Sequence, residues 1–446
     1  MICFLSILHV GGHIYNYNRF VDVNKEHNTL AAALKNLYLQ STNSILNPIT
    51  NYQVVNVGEM LRTTAGITGV ILSVCLILMF SSSTMLMRRS FYELFWFTHH
   101  LFIVFFICLA VHGIQGLIKS QTNVKQHDPV VCAPIYTSWT NSQCPVFPTF
   151  SGSSSTSWIW LLIPVVLYII ERIIRLVRSL QHVEIQQVTK HASNVFEIRF
   201  KKSNMKPLPG QYIYIKCFAI AKLEWHPFTV TSSPEEDFIS VHIRSCGNWT
   251  KQLAERLKNY PQDIPNISVD GPYGAPADDC FNYDSVILVG AGIGVTPYAA
   301  ILKHIRSIQT PNARLVRVYF YWICNTTDAF EWFGDLLQQL EHEINRPNFL
   351  IYKIFLTKWS LNEAKAVVRN HDDTRDLWTG LQQKTYYGRP NFDQDFSLIK
   401  DESQQNSDIG VFVCGPKQLA NQLQRLCIKH NRNEKNINFY LNKENF

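Results

Sequence analysis

None of the 11 cysteines in this chain of 446 residues forms a Cys-x-x-Cys pair or a Cys/His pattern suited to zinc, which removes the structural-zinc classes. No Asp-x-Asp-x-Asp-Gly loop offers a calcium site, and no Ser/His/Asp or Cys/His set calls for hydrolytic chemistry. Charge is sparse at 17% of residues, and 41 lysines and arginines against 34 acids leave a net +7. The bases are dispersed rather than striped, so nothing points to nucleic acid as a partner.

What is present divides the chain. Residues 1–180 are apolar, aromatic and poor in charge, whereas residues 181–446 alternate strand-like and helix-like runs and hold most of the acids and bases. Three apolar stretches, 65–83, 94–116 and 158–177, approach the roughly 20 helical residues that cross a bilayer. The first, from Ala65 to Phe80, carries no charge. Arg88 and Arg89 lie between the first two runs, and Arg172, Arg175 and Arg178 close the third, so both basic groups belong on the cytosolic side. Residues 181–446 are then cytosolic and the loop 117–157 lies outside. Cys132 and Cys144 fall in that loop and can pair in an oxidising compartment, while Cys217, Cys246, Cys280, Cys324, Cys414 and Cys427 should be reduced thiols. Met1 to Tyr15 is apolar, but about 15 residues are too few to span. It has no basic leader and no small-residue cleavage pattern, and Gly11-Gly12-His13 interrupts it. The expectation is the outer half of a membrane helix, not a signal peptide, with the remainder upstream of Met1.

Ionisable side chains in lipid are costly and mark function. His99 and His112 flank the second span, and His9 and His13 lie four apart on one helix face. Neutral imidazole is a good iron ligand, which suits bis-His haem. His99 and His112 are about 20 Å apart along a helix axis, right for two stacked haems, yet about 140° apart in azimuth on an ideal helix. Spacing does not choose between His99 and His100.

The cytosolic half argues independently. Pro209-Gly210-Gln211-Tyr212 precedes a strand at 213–216, and 238–244 alternates like another, as in a small antiparallel barrel. Between them His226-Pro227-Phe228-Thr229-Val230-Thr231-Ser232 offers a ring, hydroxyls and backbone groups to a flavin, and Arg244 can neutralise a pyrophosphate. The apolar run 284–288 leads into Val289-Gly290-Ala291-Gly292-Ile293-Gly294-Val295-Thr296-Pro297, which poises amides at a helix N-terminus for phosphate. Thr296 suits the cap and Pro297 the first helical position. Strands at 316–322 and 409–413, the latter entering Cys414-Gly415-Pro416, complete a parallel sheet with crossover helices that binds ligands at its carboxyl ends.

Phe97-Thr98-His99-His100, Val111-His112-Gly113, Leu223 to Thr229, Val289 to Pro297, Ala329-Phe330-Glu331-Trp332-Phe333, Tyr387-Gly388-Arg389-Pro390 and Asn442 to Phe446 together resemble the catalytic flavocytochrome of the NADPH oxidase family, nearest its phagocyte type. The resemblance implies a multi-domain fold: an α-helical transmembrane haem domain over 1–180, an antiparallel FAD-binding barrel over 181–280, and an α/β NADPH-binding domain of the ferredoxin-reductase kind over 281–446. It implies that His99 and His112 are haem ligands, that His9 is the outer-haem ligand, and that His13 lies beside the oxygen site. Trp225, His226, Pro227, Phe228, Thr229, Thr231, Ser232, His242, Arg244 and Thr250 would serve FAD. The loop Gly290, Gly292, Gly294, Thr296, Pro297 with Cys414, Gly415 and Pro416 would meet NADPH, and Phe446 would cover the flavin ring. The partner of His99 and the family's first two helices would precede Met1. Asn325 stands where phagocyte-type members carry an arginine for the 2′-phosphate, which Arg389 can replace.

The implied activity is electron transfer from cytosolic NADPH through FAD and two b-type haems to molecular oxygen, giving superoxide, in a multi-pass protein of the plasma membrane. The cofactors carry the chemistry and the protein sets distance and potential. Cytosolic activators and a small membrane subunit, besides membrane lipid, are implied partners. Two alternatives stand: a ferric-chelate reductase of the same superfamily, and a fragment limited to partner binding or to reducing dyes from NADPH.

Overall fold

The computed structural model describes residues 1–23, 57–132, 135, 143–146, 148–154, 156–258, 266–307, 314–344, 346, 348–431 and 436–444. Two compact units divide it, Met1–Glu171 and Arg172–Phe446.

In the first unit the longer helices are α1 (Ile2–Val23), α2 (Thr64–Ser82), α3 (Tyr92–His99), α4 (Phe102–His112) and the start of α5 (Ser157–Ser179). Thr63 caps α2 by accepting from Gly66 N at 3.0 Å. Two side-chain bonds show that α2 runs antiparallel to α3 and α4. Thr98 Oγ1 donates to Ser82 Oγ at one end, and Thr68 Oγ1 lies 2.8 Å from His112 Nδ1 at the other. Ile67, Val70, Val74 and Ile77 of α2 and Ile103, Phe106 and Ile107 of α4 are exposed. Apolar surface of this extent is unfavourable in water and at home in hydrocarbon. Thr64–Ser82 and Leu94–His112, with mean hydropathy 2.1 and 2.2, are the two helices long and apolar enough to cross a membrane among the described residues.

Three expectations change here. The second span breaks at His100–Leu101 and ends at His112, with Gly113 as its C-cap. Beyond it the polar run Gln115–Gln121 (β1) pairs antiparallel with Phe150–Ser154 (β2). Helix α1 does not stop at Tyr15 but runs for 22 residues. Gly11 and Gly12 cost about 1 kcal/mol each in a helix, too little to end one among good neighbours. Helix α5 forms over the third run, but Glu171, Arg172, Arg175 and Arg178 occupy its final turns, so it does not match the other two as an uninterrupted apolar span. Cys132 and Cys144 form a disulfide.

The second unit begins with two three-stranded antiparallel sheets. One orders β3 (Val183–His191), β4 (Val195–Lys202) and β7 (Ile239–Arg244), and the other β6 (His226–Thr229), β5 (Tyr212–Cys217) and β8 (Ile267–Tyr273). Strand alternation turns Ile239, Val241 and Ile243 into a core with Ile198, Phe200, Ile213, Ile215 and Val269. Ser240, His242 and Arg244 therefore share the opposite face. Helix α6 (Asn248–Leu257) buries Trp249, Leu253 and Leu257 against this barrel.

The remainder is a six-stranded parallel sheet of β9 (Ser285–Ala291), β10 (Arg317–Cys324), β11 (Leu350–Leu356), β12 (Tyr386–Tyr387), β13 (Asp408–Cys414) and β14 (Asn438–Glu444), ordered β12-β11-β10-β9-β13-β14. Separate cores cover its faces, one around Leu288, Phe320 and Trp322, the other around Val289, Tyr319 and Phe439. Burial on both sides explains the nearly continuous apolar strands. The order reverses between β9 and β13, which puts the ligand crevice of such a sheet at their carboxyl ends.

Candidate functional site

His9 and His112 come together from α1 and α4, with ring centroids 6.3 Å apart. Two metal–imidazole bonds of about 2 Å plus two ring radii need about 6 Å between centroids, so His9 and His112, their rings inclined at 60°, have the spacing that would hold a haem iron between them. His13 packs edge-on against His9 at 4.5 Å. His99 ends α3 against Phe95 at 5.3 Å, whereas His100 is tied to its own helix, Nδ1 donating to the Trp96 carbonyl at 2.7 Å, and leans on the Trp96 ring. The break after His99 removes the ideal-helix azimuth that made His99 and His112 look ill-matched.

On the barrel, His226 stacks on Trp249 at 4.2 Å, and Phe228 lies at 6.0 Å on the same indole. Burial holds His226 below its ordinary pKa against the opposing pull of Glu224, so its imidazole is neutral. Trp225 sits under Lys216, the ammonium 4.6 Å from the ring. Arg244 is exposed at the end of β7, just before the N-terminus of α6. A guanidinium beside free helix amides suits a pyrophosphate. Thr250 Oγ1 tightens that turn, accepting from Gly247 N at 3.0 Å and Cys246 N at 3.1 Å. Thr229 is buried and Pro227 exposed. Thr231 and Ser232 face inward: Thr231 Oγ1 bonds Ser240 Oγ at 2.7 Å and His242 Nδ1 at 2.9 Å, and Ser232 Oγ accepts from Ser240 N at 3.0 Å. Their hydroxyls are engaged within the protein.

His242 is buried between His191 and Phe333 and held neutral, first by burial and then by His191, Lys303 and Arg199. His191, Glu197 and His242 bring one ligand atom each within 4.8 Å of one another. Arg199 Nε already donates to Glu197 at 2.9 Å, and Lys303 adds further positive charge, so an ion pair rather than a cation answers this carboxylate.

At the switch point the loop after β9 touches the loop after β13. A Cβ on Gly294 would lie 2.3 Å from the Cys414 carbonyl oxygen, one on Gly290 2.9 Å from Val295 Cα, and one on Gly415 2.8 Å from Ala291 Cβ. Gly292 has φ +56, the left-handed region. At Gly290, Gly294 and Gly415 the absent side chain lets the loops pack closely, while the space beside Gly292 is open, an arrangement that suits a dinucleotide phosphate at the start of a helix. Thr296 does not cap the helix as expected: it is the first residue of α7 (Thr296–Ser307), Oγ1 donating back to Ile293 O at 3.0 Å, and Pro297 is second. Cys414 is buried, and burial with the Glu444 charge pushes its thiol far up, so it is neutral and not a nucleophile. Pro416 precedes the helix Lys417–His430. Asn325 follows β10 and Arg389 follows β12, both exposed beyond the carboxyl ends of their strands, with β11 between the two strands. Phe446 lies outside the described residues.

Comparison with known proteins follows the same division. Residues 1–110 match the family model for a ferric reductase like transmembrane component, 180–277 that for an FAD-binding domain, and 283–428 that for a ferric reductase NAD binding domain. The chain is 45% identical to NADPH oxidase 3 of Homo sapiens over 99% of its own length and 80% of that protein. It belongs to the NADPH oxidase family. NADPH oxidase 1 of Mus musculus is 42% identical over 100% of this chain and 77% of the relative. A superoxide-generating NADPH oxidase heavy chain of Dictyostelium discoideum is 36% identical over 100% of this chain and 80% of its own length. This NADPH oxidase family member is thus a membrane oxidoreductase with transmembrane haem, FAD and pyridine-nucleotide domains.

Three residues escaped sequence reasoning. Trp249 carries the His226 stack, and its only signal was an aromatic opening a helix after an alternating strand. Thr68 bonds His112 from 44 positions away, which no local pattern reveals. Glu444 is buried, Oε1 accepting from Ala277 N at 3.1 Å, and burial pushes its carboxyl up to about 7. It was visible only as part of a terminal string.

Proposed function

We propose that this family member is a transmembrane NADPH oxidase that takes electrons from cytosolic NADPH, passes them through FAD and b-type haems, and reduces molecular oxygen to superoxide on the far side. The observation that carries this is the His9–His112 pair, spaced for an iron at 6.3 Å in a helical unit with lipid-facing surfaces, in one chain with a flavin barrel and a nucleotide cradle. Flavin accepts a hydride and releases single electrons, the only form in which haem iron takes them.

The residues divide the work. The Gly290–Gly294 backbone and the start of α7 hold the nucleotide phosphates, Gly415 and Pro416 shape the other wall, and Cys414 fills the floor beneath the nicotinamide with a neutral sulfur. Arg389, at the same carboxyl end of the sheet as Asn325, meets the 2′-phosphate and sets the choice of NADPH over NADH. Trp225 to Thr229 and Trp249 enclose the flavin, and Arg244 and the Thr250 turn hold its pyrophosphate. Thr231, Ser232 and His242 act from behind, bracing the sheet on which the flavin residues stand. His9 and His112 hold the outer haem, His99 serves an inner one, and His13, beside His9, orients oxygen. The placement of Arg88, Arg89, Arg172, Arg175 and Arg178 supports a multi-pass topology with the flavin and nucleotide domains cytosolic, and the family reading supports the plasma membrane. Cytosolic activators and a small membrane subunit fit a chain without a calcium loop.

The ferric-reductase descriptions of two matched family models favour a second reading, with a metal chelate as final acceptor. Membranes carrying the full chain separate the two: with NADPH, cytochrome c reduction suppressed by superoxide dismutase supports the oxidase. A dismutase-insensitive signal that grows with ferric chelate supports the reductase. His112→Ala should abolish either signal and leave NADPH-dependent dye reduction. Zero haem per FAD, with dye reduction alone, would reduce the chain to a soluble-type reductase.

A further inference from the structure

We propose that Thr68 is the positioning residue of the outer haem site, fixing the tautomer and tilt of the His112 imidazole. The inference rests on the haem reading above. Thr68 is buried, and its single O–H proton donates to the Thr64 carbonyl at 2.6 Å. Its oxygen therefore meets His112 Nδ1, 2.8 Å away, only as an acceptor, so Nδ1 carries the ring proton. Nε2 is left with a bare lone pair, the form a metal needs. Gly69, the next residue, completes the seat: a Cβ there would stand 3.3 Å from His112 Cε1, so any larger side chain would press on the imidazole.

A threonine that bonds back to its own helix is common in membrane spans and by itself only structural. The His112 contact distinguishes this one. A hydrogen bond received from the far nitrogen of a ligating histidine raises the basicity of the near one, strengthens the metal bond and favours ferric iron. Thr68 therefore holds the haem tightly and keeps its potential low.

The test uses the full chain in lipid or detergent, with Thr68→Val, which keeps the shape and removes the hydroxyl, and Thr68→Ser, which keeps the hydroxyl. FAD content reports folding, and Thr68→Ala supplies a second hydroxyl-free chain if valine is not accommodated. Haem loss to apomyoglobin, the low-spin electron paramagnetic resonance spectrum and the haem midpoint potential are read on each. Thr68→Val is expected to lose one haem roughly tenfold faster, with altered g-values and a raised potential, while Thr68→Ser matches the parent. Unchanged haem loss and potential in both hydroxyl-free chains would overturn the proposal, as would a serine variant indistinguishable from valine. A parent chain without any Soret band would instead overturn the haem reading itself.

Discussion

Gly294 and Cys414 meet backbone to backbone, and neither side can yield by rotating a side chain. Gly294→Ala would place a methyl 2.3 Å from the Cys414 carbonyl oxygen, so the loops after β9 and β13 must separate. We expect a stability loss of about 1–3 kcal/mol and at least tenfold weaker NADPH binding, measured by thermal unfolding and by nucleotide titration of flavin fluorescence. Parent-like binding would remove this loop from the site. Arg244→Ala deletes the exposed guanidinium at the α6 N-terminus. A charge-assisted hydrogen bond contributes about 1.5–3 kcal/mol, so FAD affinity should fall roughly 10- to 100-fold while NADPH binding persists.

Glu444 gives a pH signature. Its folded pKa, about 7 against an ordinary 4.5, means that the fold prefers the neutral carboxyl. That preference adds nothing unfavourable below 4.5, and stability declines as pH rises through the window up to about 7, by on the order of 3 kcal/mol at the neutral end. Glu444→Gln should flatten the thermal midpoint of the intact chain between pH 5 and pH 7.5. Equal slopes for parent and variant would show that Glu444 is not the buried acid it is taken to be.

Strands and loops with a local signature are legible in the sequence. Alternation at 238–244 gave β7, the Gly-rich run gave the cradle, and Cys132 and Cys144 gave the disulfide. Bridging a loop of about this length stabilises by about 3 kcal/mol, so Cys132→Ser should lower the thermal midpoint. Thiol labelling of the unreduced parent should spare both cysteines. Other features were not legible. The break after His99 leaves no local mark in the sequence, and α1 continues past Gly11-Gly12 because the propensity cost of two glycines is too small to end it. The inward turn of Thr231 and Ser232 arises because their hydroxyls find Ser240 and His242 across the sheet. Two hydroxyls of a motif read as cofactor contacts are thus engaged inside the protein, an inward turn that strand parity alone would not disclose without the register.

At the scale of the whole molecule, the near-neutral average hydropathy hides a lipid-facing unit and a water-facing one. The chemistry needs both, since the nucleotide cradle lies in the second and the imidazole pair in the first. The account stands on iron held by His9 and His112 receiving electrons that enter at the Gly290–Gly294 loop. The most direct measurement is anaerobic addition of NADPH to the full chain in lipid vesicles, followed by optical spectroscopy and then by admission of oxygen. The account predicts a bis-His Soret band that shifts on NADPH addition and returns with oxygen, releasing superoxide, and a weaker band in His112→Ala. No Soret band, with NADPH still oxidised at the same rate in parent and variant, would contradict it.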